Sequence, residues 1–165
     1  MVGVYERWIL PRLLDLSMRN RLLDHYRQRT IETARGLVLE VGVGSGLNLR
    51  FYSRAVDRVC GIDLSPELLR LAHERTADAV VPVSLIGASA EHLPFAVAAF
   101  ETVVMTWTLC SIANPVAALI QMRRVLKPSG QLLFVEHGLS PEFRIARWQH
   151  WLIAGGNRVR TIGPA

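Results

Sequence analysis

The sequence predicts an α/β fold in which a parallel β-sheet carries helices on both faces. Two observations lead to this prediction. Across the middle of the chain, short apolar runs alternate five times with segments that carry helix signals, and the first run ends in a glycine-rich turn at residues 42–46. Strands that alternate with helices pair in parallel, because each helix returns the chain to the start of the next strand. The 165 residues, 50% of them hydrophobic, suffice for one domain with its own core.

The expected strands are short runs rich in aliphatic residues, as is typical of parallel strands that are buried on both faces. Five such runs occur, at residues 37–41, 58–63, 80–86, 102–109 and 131–136. In a sheet of this kind ligands bind beyond the carboxyl ends of the strands. The functional residues are therefore expected where these runs end.

Three helices are expected between the strands, at residues 47–54, 66–77 and 115–126. The second begins at Ser65-Pro66-Glu67, which combines a capping side chain, a proline at the first helical position and an early acidic residue. The third is followed by Lys127-Pro128-Ser129-Gly130, which is a helix stop signal.

Charge divides the single expected domain into three parts. Residues 1–35, predicted to be an N-terminal helical cap, hold seven arginines and four acidic residues, and residues 139–165, a predicted C-terminal helix and tail, are basic as well. The core at 36–138 is close to neutral. The arginines do not cluster with stacking aromatic residues, so no nucleic-acid partner is expected. Basic flanks that contain tryptophan are compatible with an ordinary helix surface or with peripheral contact to a membrane.

Cysteine usage and hydropathy predict a cytoplasmic protein. Cys60 and Cys110 are fifty positions apart inside apolar runs, without the spacing of a metal site or the density of a disulfide framework. The first residues mix charged residues and proline into their apolar sequence, unlike a signal peptide. The uncharged segment 102–122 contains Asn114-Pro115 near its middle, so it reads as a strand followed by a helix rather than a membrane span.

The ends of the first two strands carry a ligand-binding pattern. The first strand runs into Glu40-Val41-Gly42-Val43-Gly44-Ser45-Gly46, and the second ends in Asp63. Glycines at this spacing allow a sharp turn and a close approach of a ligand to the backbone. An acid at the end of the second strand is placed to bind the two hydroxyls of a ribose. A dinucleotide fingerprint would have its third glycine at position 47, where this chain has leucine.

In these features the chain resembles the class I S-adenosylmethionine-dependent methyltransferases. Five segments match motifs of that family in order along residues 37–138: 40–46, Asp63, 90–95, 100–104 and 125–130. The departures are Glu101 and Ser129, where the family has Asp and Gly. The resemblance implies a Rossmann-like sheet, the cofactor S-adenosylmethionine with S-adenosylhomocysteine as product, and a small-molecule methyl acceptor.

The resemblance also implies roles for individual residues. The turn that contains Gly42, Gly44 and Gly46 would cradle the amino-acid part of the cofactor, and Glu40 would orient its amino group directly or through water. Asp63 would bind the ribose, and Leu64 would pack on the adenine. Further contacts are expected from residues at the later strand ends and from the opening helix: Ser89, Ala90 and Glu91 at the adenine edge, Thr106 beside the methionine portion, and Tyr5 as an aromatic cover.

A narrower resemblance concerns the acceptor. Segments 45–48, 51–52, 109–111 and 136–137, together with Trp148-Gln149, are similar to a branch that includes methyltransferase-like alkyl thiol methyltransferases. That branch favours a thiol acceptor, which must lose its proton to react. His137, directly after the fifth strand, is the candidate catalytic base, because the pKa of histidine lies near neutrality. Cys110 either lines the acceptor pocket or is a buried apolar residue.

The end of the chain departs from the family pattern. Family members add an antiparallel hairpin after the helix that follows strand five, whereas only residues 155–165 remain here. The sheet is therefore expected to be truncated after strand five. That strand would be an exposed edge, covered by the tail or by a second copy in a homodimer. The alternative to an enzyme is a cofactor-binding or regulatory subunit without transfer activity; a nicotinamide-dependent oxidoreductase fits less well because of Leu47.

Overall fold

A six-stranded parallel sheet organises the chain. The computed structural model describes residues 15–16, 18–136 and 158–161, and the sheet order is β3-β2-β1-β4-β5-β6 with every recorded pair parallel. The elements are β1 Gly36–Val41, β2 Val56–Asp63, β3 Val83–Gly87, β4 Phe100–Thr106, β5 Leu126–Val135 and β6 Arg158–Thr161, with helices α1 Arg21–Ile31, α2 Pro66–Arg75 and α3 Pro115–Val125. The predicted α/β class is confirmed.

The direction in which successive strands are added to the sheet reverses at β1. From β1 the chain goes first to β2 and β3 on one side, then crosses to β4 on the other side of β1. The crossovers on the two sides of such a point leave a crevice at the carboxyl ends of the strands. That crevice lies beyond Val41 of β1 and Thr106 of β4.

Consecutive strand residues point to opposite sides of the sheet, so both faces carry apolar side chains. Helices cover both of these faces. On one face Leu39, Val103 and Met105 join one buried cluster with Leu119 and Met122 of α3. On the other face Val38 and Val104 belong to a second buried cluster, which includes Ile31 of α1.

The helix start signals work as expected. Ser65 Oγ accepts a hydrogen bond from the backbone N–H of Leu68 at 3.2 Å, directly before Pro66. Asn114 Oδ1 accepts from the backbone N–H of Ala117 at 3.1 Å. Both helices then begin with proline.

The helix expected at 47–54 is wrong: only a single 3-10 turn, Leu49–Phe51, forms there. The side chain of Asn48 does not cap this turn, because its amide is directed inward onto Glu40. Tyr52 then takes an extended conformation and ends the turn.

The sheet does not end at strand five. β6 pairs in parallel with β5, with Gln131 opposite Arg158 and Phe134 opposite Thr161. The exposed β5 edge that motivated the homodimer expectation is thus covered by the tail. β5 also begins at Leu126 rather than at 131, and its pairing with β4 is irregular between Phe100 and Thr102.

The uncharged segment 102–122 folds as the end of β4 followed by α3, as expected. Within the described residues, no helix has the length and apolar character needed to cross a membrane.

Candidate functional site

The turn after β1 brings its backbone against two other strand ends. The N–H groups of Gly42 and Val43 both donate to the carbonyl of Ile62 in β2, each at 2.9 Å. At Gly42 a Cβ would lie 2.2 Å from Cγ2 of Thr108, so the missing side chain there is required by the protein's own packing. Gly46 is similarly packed on Ala72 of α2.

Gly44 differs, because its missing side chain faces open space. Its φ is +55°, and the atom nearest to a Cβ at this position would be 4.0 Å away. Of these three glycines, Gly44 is therefore the one at which a ligand can approach the backbone.

Asp63 ends β2 beside this turn and is held by the backbone. Its Oδ2 accepts from the N–H of Gly44 at 2.9 Å, and its Oδ1 accepts from the N–H of Ser65 at 2.9 Å. A carboxylate has about four acceptor positions. The side chain is thus fixed in orientation and keeps acceptor capacity for hydroxyl groups of a ligand.

Two adjoining cavities open along this crevice. The first, of about 400 Å³, lies between the end of β2 and the corner after β3, and its walls include Leu64, Ser89, Ala90 and Glu91. Leu64 is 73% exposed. The second, of about 360 Å³, lies over Gly44 and the end of β4. Five residues line both cavities: Gly42, Asp63, Leu68, Thr108 and Ser111.

The corner after β3 is fixed by its own hydrogen bonds. Ser89 Oγ accepts from the N–H of Glu91 at 3.1 Å, and Glu91 Oε1 accepts from the N–H of Asn114 at 2.6 Å. Glu91 therefore connects the first cavity to the residue that caps α3.

Glu40 is fully buried beside the glycine turn. It is 1% exposed and is not among the residues that line either cavity. Its Oε1 accepts from Asn48 Nδ2 at 2.7 Å and its Oε2 accepts from the hydroxyl of Tyr52 at 2.8 Å. Burial raises the pKa of Glu40 to about 7, against the lowering effect of these two hydrogen bonds.

Asn48 links Glu40 to the second cavity. Its Nδ2 also donates to Thr106 Oγ1 at 3.0 Å, and Thr106 lines that cavity. This amide and hydroxyl connect Glu40 to the second cavity, and its role in orienting the cofactor's amino group stays a prediction.

The sequence interpretation missed two residues that form a wall of the second cavity. Trp107 follows β4 directly with a φ of +50°, and the guanidinium carbon of Arg27 lies 4.7 Å from the centre of its ring. Arg27 Nη1 donates to Asn48 Oδ1 at 2.9 Å. Trp107 falls within the run expected to form the fourth strand, 102–109, which conceals its place just beyond the end of β4, and no sequence signal marks Arg27.

A third missed residue, Asp15, attaches the N-terminal segment to the glycine turn. Its carboxylate accepts from Ser45 Oγ at 2.5 Å and from both Nη atoms of Arg75 in α2, at 2.8 and 3.0 Å. Burial opposes ionisation, but the hydrogen bonds from Arg75, Ser45 and Arg19 prevail and lower the pKa of Asp15 to about 2. The N-terminal segment thus forms part of the wall of the second cavity, which Asp15 and Met18 line.

The segment after β4 is held from the end of β5. Glu136 Oε1 accepts from the N–H groups of Thr108 and Leu109, at 2.9 and 3.0 Å. Cys110, in the same segment, is exposed and lines the second cavity, so of the two interpretations of this residue the pocket position is the observed one. Tyr5 and His137 lie outside the described residues.

The family model and the relatives that match this chain are all methyltransferases. A family model described as a methyltransferase domain matches residues 39–134, more than half of the chain. A phosphatidylethanolamine N-methyltransferase of Cereibacter sphaeroides is 35% identical over 81% of this chain, and a demethylmenaquinone methyltransferase of Thermobifida fusca is 30% identical over 87% of it. The chain covers 66% and 61% of these two relatives, less than two thirds of their length.

Among solved structures, a SAM-dependent methyltransferase of Aquifex aeolicus has the same fold. The TM-score is 0.64 with 21% identity, over 89% of this chain and 86% of that one. The likeness supports the architecture of the sheet.

Proposed function

The chain belongs to the family of methyltransferase domains, and from that membership we propose that it transfers a methyl group from S-adenosylmethionine to a small, largely apolar acceptor. The observation that carries the proposal is the pairing of Gly44 and Asp63. The turn leaves open space at Gly44, and the carboxylate bound to its N–H keeps acceptor positions at the boundary of two cavities.

Residues that line the two cavities support this choice of cofactor. In the proposed arrangement the first cavity takes the adenosine, with Asp63 on the ribose hydroxyls, the exposed side chain of Leu64 against the adenine, and the fixed corner at Ser89, Ala90 and Glu91 along its edge. The backbone at Gly44 faces the amino-acid portion, and Thr106 lines the space beside it.

S-Adenosylmethionine would supply an activated sulfonium methyl group: the acceptor's nucleophilic atom would attack this methyl carbon in line with the sulfur, and its bond to the carbon would form as the carbon–sulfur bond breaks and S-adenosylhomocysteine leaves. The protein's part is to place the nucleophile at about 3–3.5 Å and to let its proton leave. His137 is proposed as the base for that proton, on the basis of the sequence alone.

The second cavity supports an acceptor with an apolar body. Leu47, Leu68, Met18 and Trp107 contribute to its walls. A thiol is the acceptor favoured by the sequence resemblance, while the names of the two curated relatives point to an amine lipid and a quinone. These three chemistries form the acceptor panel to be tested; contact with a membrane surface would accompany either of the latter two.

The test is transfer of a radiolabelled methyl group from S-adenosylmethionine to an alkyl thiol, a reduced naphthoquinone and phosphatidylethanolamine vesicles. Labelled product with one acceptor, lost in Asp63→Ala and kept in Asp57→Ala, supports the proposal. Asp57 is the matched control because it lies exposed at the other end of β2. Binding of the cofactor without transfer to any acceptor would favour a catalytically silent cofactor-binding subunit instead.

A further inference from the structure

Arg27 is a buried cation whose direct partners in the described part of the chain are neutral. It is 4% exposed and lines the second cavity. Its guanidinium donates to Asn48 Oδ1 and to the carbonyl of Met18, and it lies over the ring of Trp107. Arginine has five N–H donors, and its Nε has no partner among the described residues.

An amide separates Arg27 from the buried carboxyl group of Glu40. Asn48 accepts from Arg27 through Oδ1 and donates to Glu40 through Nδ2. Asp24, the other acid that acts on Arg27 electrostatically, forms an ion pair with Arg50 at 2.8 Å. Arg27 itself takes part in none of the ion pairs recorded for the described residues.

A buried charge without a directly paired counter-charge is costly, and in folded proteins such charges are normally paired. The charge of Arg27 is held at a cavity wall by three separate contacts, so it is fixed in position before any ligand arrives. A preorganised cation of this kind stabilises negative charge on a bound group much better than water does.

We propose that Arg27 is the anion-binding residue of the second cavity and receives a negatively charged oxygen or sulfur group of a bound ligand. The inference rests on the proposed function, which gives two sources of that charge. One is the carboxylate of the cofactor's amino-acid portion. The other is an acceptor that reacts in its anionic form, as a thiolate or an aryl oxide, rather than as an amine.

The first arm of the test concerns the carboxylate. Calorimetry compares S-adenosylhomocysteine with 5′-methylthioadenosine, which lacks the amino-acid portion, for the wild type, Arg27→Gln and Arg27→Lys. If Arg27 binds the carboxylate, Arg27→Gln lowers the affinity for S-adenosylhomocysteine about tenfold or more and changes the affinity for 5′-methylthioadenosine less than about twofold. The affinity of Arg27→Lys for S-adenosylhomocysteine then lies between those of the wild type and Arg27→Gln. Arg50→Gln is the matched control, since Arg50 does not line this cavity.

The second arm concerns the acceptor. The absorbance of 4-nitrophenol is titrated against pH in the presence of the protein saturated with S-adenosylhomocysteine. If Arg27 receives the acceptor's charge, the pKa of the bound phenol falls by about one unit, a tenfold preference for the anion. Arg27→Gln abolishes this shift, and Arg50→Gln retains it.

Each outcome decides between the alternatives. A positive result in either arm supports the inference and identifies the source of the charge. If the wild type binds both nucleosides equally well and leaves the pKa of the phenol unchanged, the inference is overturned. This outcome is measured on the wild type alone, so it does not depend on whether a variant folds. If the wild type binds neither nucleoside, the proposed function fails, and this inference fails with it.

Discussion

The carboxylate of Asp63 and the backbone N–H of Gly44 lie 2.9 Å apart across the gap between β1 and β2. This hydrogen bond joins the end of one strand to the turn that follows its neighbour. It fixes the acid at the point where the two cavities meet. The same side chain thus holds the turn through its backbone and lines both cavities.

Gly42 is predicted to stabilise the fold through its close packing against Thr108. Gly42→Ala would place a methyl group within 2.2–2.8 Å of the side chain of Thr108, so the free energy of unfolding is expected to fall by about 2–4 kcal/mol. Denaturant titration measures this loss. Thr108→Gly should restore part of it in the double variant; simple additivity of the two losses would contradict the contact.

Asp15 is predicted to stabilise the attachment of the N-terminal segment in its ionised form. Its pKa is about 2 in the folded protein and 3.8 without the fold, so its contribution is present above pH 3.8 and is lost as the pH falls towards 2. Asp15→Asn should therefore be less stable than the wild type at pH 7, with a difference that shrinks below pH 4. Chemical denaturation at several pH values measures it. A difference that does not depend on pH would show that the charge of Asp15 is irrelevant.

Glu40 is predicted to have the opposite dependence on pH. Its folded pKa of about 7 is raised from 4.5, so the folded state holds a proton that the unfolded state has lost. The stability due to this group is complete below pH 4.5 and declines as the pH rises through 7. Glu40→Gln mimics the protonated form and should remove that decline, as thermal melting from pH 5 to pH 8 would reveal. If the melting temperatures of the wild type and Glu40→Gln change with pH in parallel, the raised pKa of Glu40 is refuted.

Leu64 is predicted to contribute apolar contact to the cofactor without stabilising the fold. It is 73% exposed and lines the first cavity. Burial of part of this side chain by an adenine is worth about 1 kcal/mol, so Leu64→Ser should weaken S-adenosylhomocysteine about three- to tenfold with an unchanged melting temperature. Val80→Ser is the control, because Val80 is also exposed but lines neither cavity. Equal effects of the two substitutions would argue against the predicted contact.

The alternation of strands and helices along the chain, and the places of the glycine turn and Asp63 at strand ends, could be predicted from sequence, because apolar periodicity and glycine spacing are local properties. The position of Glu40 could not, since its direction is decided by Asn48 and Tyr52, which reach it through tertiary packing. Arg27 and Asp15 were missed for the same reason: their partners Asn48 and Arg75 are 21 and 60 positions away. The pairing of β6 with β5 could not be predicted from local sequence pattern either, because Arg158–Thr161 is a short segment in a basic tail.

Calorimetric titration of the chain with S-adenosylhomocysteine, with NADH as the comparison ligand, tests the central claim most directly. We expect micromolar binding of S-adenosylhomocysteine and no binding of NADH. Asp63→Ala should abolish the binding of S-adenosylhomocysteine, and Asp57→Ala should retain it. Binding of NADH in its place, or binding of S-adenosylhomocysteine that survives Asp63→Ala unchanged, would contradict it.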